Sequence, residues 1–162
     1  EIMINDYLSF AKDNVTENFS KLNLSNFFNE LIKHHTSSKF NVKLFIYDKK
    51  IEFNLRKQSF KRSILNIIEN SKRYSKNIEI NIKKTEDSLV IFIDDDGPGI
   101  NKQDRENALR PFYRLEISRN KNTGGTGLGL SIANNIILSH GGKLELLSSP
   151  LGGLRVKLSL PQ

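Results

Sequence analysis

Two short stretches combine residue types that could bind a nucleotide. Residues 95–99 (Asp-Asp-Gly-Pro-Gly) follow an alternating apolar run, so a strand delivers the Asp95 carboxylate to a sharp, glycine-rich turn. Residues 124–130 form a second glycine-rich stretch that opens a predicted helix. A carboxylate accepts a hydrogen bond from an exocyclic amine, and the free N–H groups at a helix start bind phosphates. Together the two stretches predict a site for both ends of a purine nucleotide.

A predicted helix over residues 57–75 carries a polar stripe opposite an apolar face. Asparagine is unfavourable inside a helix, yet Asn66 and Asn70 lie one turn apart on this stripe, followed by Arg73. Taken alone, such a stripe is typical of an ordinary solvated face. Magnesium, however, prefers hard oxygen ligands and keeps several waters, so an amide oxygen of Asn70 could help hold it while Arg73 binds a phosphate. The two glycine-rich stretches favour this second interpretation.

The remaining periodicity predicts the elements that position these residues. Residues 19–23 are predicted to be a polar link, and Ser25 the N-cap of a helix whose apolar stripe continues to His35. Residues 100–124 have little periodicity and are predicted to be a lid. Hairpins are predicted at residues 42–55, 78–93 and 144–160, and a helix at residues 128–139, ended by Gly141. These elements predict an α+β fold, a sheet with helices on one face.

Composition limits the class of protein. The 162 residues carry a net charge of +7 and contain no cysteine, which excludes disulfides and thiolate metal sites. The basic residues are spread along the chain, which favours local phosphate contacts over a nucleic-acid surface. No apolar run approaches the roughly 18 residues of a membrane span. Because the sequence starts without methionine, we expect it to be part of a longer protein.

Four stretches, in their order and spacing, resemble the motifs of bacterial sensor histidine kinases. Residues 66–74 resemble the N box of that family, residues 95–99 its first glycine box, residues 111–114 its F box and residues 125–130 its second glycine box. The resemblance covers about residues 20–162, and residues 73–74 and 95–100 are similar to the osmosensor subgroup. It implies the two-layer α/β sandwich of the histidine kinase and gyrase type (the Bergerat fold), with a mixed, mostly antiparallel sheet.

The resemblance also implies two regions. Residues 19–162 are then the catalytic ATP-binding domain, and residues 1–18 the C-terminal end of a dimerisation hairpin helix plus a linker. Periodicity alone favours equally an N-terminal helix that docks on the core. The parent protein is expected to be a homodimer in the bacterial inner membrane, with this chain as a cytoplasmic domain.

The family's residue roles can be carried over only where the motifs match. ATP and Mg²⁺ are the implied ligands, with the adenine amino group on Asp95 and the metal on Asn70. Residues implied to act in catalysis are Asn66, Asn70, Arg73 and Arg114, with Arg119 as a second cation in the lid, residues 101–124. Residues implied to line the nucleotide site are Asn66, Asn70, Arg73, Tyr74, Asp95, Gly97, Gly99, Ile100, Thr126, Gly127, Leu128 and Gly129.

The implied reaction is transfer of the ATP γ-phosphate to a histidine, for relay to the receiver domain of a response regulator. The acceptor histidine is expected on a hairpin that this sequence does not contain. His34, His35 and His140 are interpreted as structural, and the helix dipole favours a cation at His140. Related gyrase-type ATPases activate water with a glutamate at the position that Asn66 occupies here, and an amide cannot act as that base. An ATPase and a module that binds nucleotide only for regulation remain the alternatives.

Overall fold

A computed structural model of the chain describes residues 17–48, 50–114 and 127–162. The predictions for residues 1–16, for Arg119 and for Thr126 lie outside these ranges. No helix within them is long and apolar enough to cross a membrane.

The described elements alternate between short strands and helices. Before the predicted polar helix lie β1 (Ser20–Asn23), α1 (Leu24–Lys33), β2 (Asn41–Ile46) and β3 (Glu52–Leu55). The polar helix itself is α2 (Lys57–Tyr74), followed by β4 (Asn77–Lys84) and β5 (Ser88–Asp95). The remaining elements are a 3₁₀ helix (Lys102–Asp104), α3 (Arg105–Ala108), α4 (Gly129–Ser139), β6 (Lys143–Ser148) and β7 (Leu154–Pro161).

Five of these strands form one mixed sheet in the order β2-β4-β5-β7-β6. The β2–β4 pair is parallel, while the β4–β5, β5–β7 and β6–β7 pairs are antiparallel. Strands β1 and β3 pair antiparallel in a separate two-stranded sheet. Because β5 lies at the centre, the residues that follow its C-terminal end are held by neighbours on both sides.

The core lies between one face of the sheet and the helices. Alternate residues of β4, β5 and β7 are buried, as the alternating pattern predicted, and they form one cluster with apolar residues of α1, of α2 and of one side of α4. Ile132 and Ile136 of α4 form a second, smaller cluster with Leu128. The other face of the sheet carries charged side chains, such as the Asp94–Arg155 pair. The predicted α+β architecture with helices on one face is confirmed. The fully buried apolar residues of α2 are Phe60, Ile64, Ile67 and Ile68.

Four local predictions are wrong. Residues 20–23 form a strand rather than a polar link. The N-cap of α1 is Asn23, whose side chain accepts a hydrogen bond from the Asn26 N–H, and not Ser25. Residues 42–55 do not form a hairpin, because β2 pairs with β4 and β3 with β1. The first part of the predicted lid contains the 3₁₀ helix and α3.

Candidate nucleotide-binding site

Helix α2 links the two ends of the candidate site. Its apolar face is fully buried in the core, which leaves Asn66 and Asn70 half-buried and Arg73 and Tyr74 exposed on the polar stripe. Near the middle of the helix, Asn66 Oδ1 lies 3.7 Å from the position that a Cβ would take on Gly129, the first residue of α4. At the C-terminal end, the Tyr74 carbonyl oxygen lies 3.0 Å from the equivalent position on Gly97.

The Asp95 carboxylate is fixed by three hydrogen bonds from three parts of the fold. Its Oδ1 accepts the Gly97 N–H at 3.0 Å and the Leu154 N–H at 2.9 Å. Its Oδ2 accepts the Ser71 hydroxyl of α2 at 3.1 Å. The turn after β5, the start of β7 and the C-terminal part of α2 therefore all orient the same side chain. An ionised carboxylate has about four acceptor positions, so the bonds from the described residues leave one, which lies on Oδ2.

Burial and hydrogen bonding act in opposite directions on this group. Only 4% of Asp95 is exposed. Burial raises the pKa of Asp95, while the hydrogen bonds from Leu154, Gly97 and Ser71 partly offset this increase. Asp96 raises the pKa of Asp95 further by charge repulsion. A buried acceptor of this kind recognises a donor strongly, because little water competes for it.

Glycines let the backbone pass close to this carboxylate. A Cβ on Gly153 would overlap Asp95 Oδ1, the Asp95 carbonyl oxygen and the Gly97 nitrogen. The Gly153 N–H donates to the Asp95 carbonyl at 3.2 Å. Gly99 has a φ of +70°, and a Cβ on it would lie 3.1 Å from the Gly153 carbonyl oxygen. The floor of the site is therefore built from two glycine turns, one after β5 and one before β7.

The carboxylate of Asp96, the next residue, has structural partners of its own. It is exposed, but its Oδ1 accepts the N–H groups of Lys76 and Asn77 at 2.9 and 3.0 Å. Its Oδ2 accepts the Asn77 side-chain amide at 2.6 Å. These bonds lower the pKa of Asp96, first through the Asn77 side chain. Asp96 thus ties the turn after β5 to the start of β4.

The start of α4 supplies the second half of the site. The described residues provide no side-chain cap for this helix, so its first N–H groups stay available to an anion. Gly127 has a φ of +71°, and a Cβ on it would lie 3.0 Å from the Tyr113 carbonyl oxygen. Its own carbonyl accepts the Phe112 N–H at 3.1 Å. Leu128 is buried, which anchors the helix start.

The predicted F box lies against this helix start. Phe112 is exposed and has a φ of +63°, held by its backbone bond to Gly127. Arg114 is half-buried. Upstream, Ile100 is half-buried against the core, and its carbonyl accepts the Arg105 Nε at 3.0 Å. The structure therefore brings Phe112 and Tyr113 to Gly127.

The histidines and the neighbouring glutamate have structural surroundings. Buried His140 accepts the Arg56 N–H through Nε2, and its Nδ1 lies 2.8 Å from the Ile136 carbonyl oxygen. Burial lowers the pKa of His140, so it outweighs the helix dipole that would favour a cation there. Glu69 is exposed and lies 3.4 Å from His35 and 3.9 Å from Lys72. It is therefore paired with other side chains.

A cavity of about 400 Å³ lies elsewhere, between β3 and the end of β7. Its lining includes Phe19, Phe53, His140 and Pro161, but none of the predicted site residues. The predicted site is therefore defined by its hydrogen-bonding groups and glycine turns.

Sequence reasoning missed two residues of this site. Ser71 follows Asn70 directly and was not considered, although a serine in the buried part of a helix often bonds a neighbouring polar group. Gly153 was interpreted only as part of the turn between β6 and β7. A pair of glycines there could have suggested a close backbone approach, but its partner, Asp95, is distant in sequence.

Comparison with known proteins identifies the class that this fold and site define. The family model for histidine kinase-, DNA gyrase B- and HSP90-like ATPases matches residues 55–162. The chain therefore belongs to this family of ATPases.

The relatives narrow the class to sensor histidine kinases. The sensor histidine kinase CpxA of Escherichia coli strain K12 is 46% identical over 97 residues, which are 59% of this chain and 21% of CpxA. The solved histidine kinase domain of the E. coli osmosensor EnvZ is 30% identical, with a TM-score of 0.68 and 89% of each chain covered. Full-length ShkA in complex with AMPPNP shares the fold, with a TM-score of 0.81 and 15% sequence identity. The match covers 98% of this chain and 35% of ShkA. The chain spans about a fifth of the length of the curated relatives it matches.

Proposed function

We propose that this chain binds Mg-ATP and transfers its γ-phosphate to a histidine on a separate dimerisation hairpin. The observation that carries the proposal is the buried Asp95 carboxylate, which has one acceptor position left for an adenine amino group. The amine is a donor and the ionised carboxylate only accepts, so the pairing is complementary. The solved complex of ShkA with AMPPNP, an adenine nucleotide on the same fold, supports this choice of base.

The phosphates are proposed to extend from the base along α2. The helix rises about 1.5 Å per residue, so Asn66 and Tyr74 are separated by about 12 Å along its axis. Tyr74 and Gly97 lie at the base end, while Asn66 lies beside Gly129 at the start of α4. The uncapped N–H groups there stabilise negative charge. Thr126, outside the described residues, is proposed to join this phosphate-binding segment, and Arg73 and Arg114 to supply cations.

The donor set fits magnesium. The described residues contain no cluster of three histidine, cysteine or acidic side chains that could hold a metal by itself. A half-buried asparagine amide offers one hard oxygen, which suits an ion that takes its other ligands from phosphates and water. Asn70 is therefore proposed as the protein ligand, with Asn66 nearby on the phosphate side. The ion would neutralise phosphate charge.

Phosphoryl transfer is favoured over hydrolysis by what surrounds the phosphate end. Asn66 cannot remove a proton from water, and Glu69 is engaged with His35 and Lys72. In the proposed step, a neutral imidazole nitrogen attacks the γ-phosphorus, and the bond from that phosphorus to the β,γ-bridging oxygen breaks to release ADP. The chain's contribution is to bind and orient ATP and to stabilise charge.

The wider assembly is proposed from the class of the relatives. The parent protein is expected to be a homodimeric kinase of the bacterial inner membrane, with this chain in the cytoplasm. Its phosphohistidine would pass the phosphoryl group to the receiver domain of a response regulator. No nucleic acid is expected as a partner.

Incubation with γ-³²P-labelled ATP and Mg²⁺ tests the proposal. The chain alone is expected to bind ATP and to remain unlabelled, while a dimeric hairpin bearing the acceptor histidine gains an acid-labile label in trans. The matched control is the same hairpin with that histidine replaced by glutamine. Absence of label on the correctly dimerised hairpin would contradict the transfer, and rapid phosphate release without the hairpin would favour an ATPase.

A further inference from the structure

We propose that Ser71 is a positioning residue, which orients the Asp95 carboxylate and limits the base to a single acceptor position on Oδ2. The inference rests on the proposed nucleotide binding at Asp95. Ser71 is buried near the C-terminal end of α2, with only 2% of its surface exposed. Its hydroxyl lies 3.1 Å from Asp95 Oδ2. Because an ionised carboxylate cannot donate, the serine must be the donor.

The two other hydrogen bonds to Asp95 do not hold its Oδ2 oxygen, which Ser71 does. Gly97 and Leu154 both donate to Oδ1, so they hold one oxygen and allow the second to sample more than one partner. The Ser71 hydroxyl occupies one acceptor position of that second oxygen. One acceptor position then remains on Oδ2. The amino group of the base would therefore donate to Oδ2 at a single acceptor position.

Ser71 also affects the charge state on which recognition depends. Its hydrogen bond is one of three that oppose the rise in the pKa of Asp95 caused by burial. The charged neighbour that acts on this carboxyl among the described residues is Asp96, which raises the pKa. Loss of the Ser71 hydroxyl removes a donor that favours the anion. Asp95 then takes up a proton at a higher pH, and the protonated group is a poorer acceptor for the base amine.

The helix itself does not need this hydroxyl. The Ser71 carbonyl accepts the Ser75 N–H and hydroxyl, both at 2.8 Å, and alanine would keep these bonds. Alanine also favours a helix interior more than serine does. Ser71→Ala is therefore expected to fold, and the nearly isosteric Ser71→Cys, whose thiol is a weak donor, excludes an effect of lost volume. The matched control is Ser63→Ala, because Ser63 is buried on the same helix and donates instead to the Ala133 carbonyl at 3.4 Å.

The experiment is ADP binding by calorimetry for the whole chain and these three variants, from about pH 5 to pH 8. Titration of the ADP phosphates is common to all proteins, so it cancels in the ratio of each variant to wild type. Ser71→Ala and Ser71→Cys should bind about three- to tenfold more weakly near neutral pH. Their affinity should also begin to fall at a higher pH than in wild type and Ser63→Ala, because the pKa of Asp95 is higher.

Three outcomes would overturn the proposal or its basis. If both Ser71 variants match Ser63→Ala at every pH, the serine does not position Asp95. If their affinity is lower but the pH dependence is unchanged, the Ser71 hydroxyl does not act on the charge state of Asp95 and the positioning role is refuted. If wild type itself does not bind ADP, the proposed function fails before the Ser71 comparison is made.

Discussion

Replacement of Asp95 by asparagine should put a hydrogen-bond donor where the base site has an acceptor, with a side chain of almost the same size. Gly97 and Leu154 both donate to Oδ1, so the amide oxygen of the new residue must take that position. The amide NH₂ group then takes the place of Oδ2 beside Ser71, whose hydroxyl can turn to accept from it. A donor would now face the adenine amino group, which is itself a donor.

The expected loss follows from the single acceptor position on Oδ2. A hydrogen bond to a charged group contributes about 1.5–3 kcal/mol, so Asp95→Asn should weaken ADP binding by about ten- to hundredfold. Inosine diphosphate carries a carbonyl oxygen where adenine has its amino group, and that oxygen can accept from the new NH₂. The variant should therefore lose less affinity for inosine diphosphate than for ADP. Calorimetric titration with both nucleotides at neutral pH measures the two ratios.

Asp96→Asn is the matched control. Asp96 has the same arrangement, one oxygen bonded to two backbone N–H groups and the other to a side chain, but it is exposed. Both substitutions remove one negative charge, so a general charge effect would appear in both variants. Unchanged ADP affinity in Asp95→Asn, or equal losses for ADP and inosine diphosphate, would refute the assignment of Asp95 to the base.

Three further predictions concern the metal, the packing and a helix cap. Asn70→Asp should change the magnesium dependence of ATP binding far more than the binding of adenosine, and equal effects on both would argue against a metal ligand there. Gly153→Ala should lower the free energy of unfolding by about 1–3 kcal/mol in urea titrations and weaken ADP binding, because the alanine Cβ would overlap Asp95. Unchanged stability and unchanged ADP affinity would contradict the close approach of Gly153 to Asp95. The Glu17 carboxylate accepts hydrogen bonds from the N–H groups of Gln58 and Ser59 at 2.6 and 2.9 Å. Burial alone would raise the pKa of Glu17, but these hydrogen bonds lower it from the ordinary value of 4.5. The stability from this cap is therefore present above pH 4.5 and lost as the pH falls through the lowered pKa. Glu17→Gln should lower the free energy of unfolding by about 0.5–2 kcal/mol at neutral pH and reduce the loss of stability on acidification. An unchanged loss of stability on acidification would show that Glu17 does not cap α2.

The sequence alone determined the elements whose periodicity is strong. Helix α2 begins at the predicted residue and ends one residue before the predicted end. The agreement is close because its apolar residues recur at helical spacing over 18 residues. The β4–β5 and β6–β7 hairpins also follow their alternating patterns, since each pair is joined by a short turn. The glycine turn after β5 placed Asp95 at the end of a strand, and chemistry then suggested a base acceptor.

Only the tertiary structure decided the pairings between distant segments. Alternation shows that residues 42–46 form a strand, but not that β2 pairs in parallel with β4 across helix α2. The same limit applies to the site. Hydrogen bonds from Ser71 and Leu154 to Asp95 span 24 and 59 residues, and no local pattern fixes such contacts. The residue types that could bind a nucleotide are set by the sequence, whereas the one acceptor position left on Asp95 results from how three separate segments pack around it.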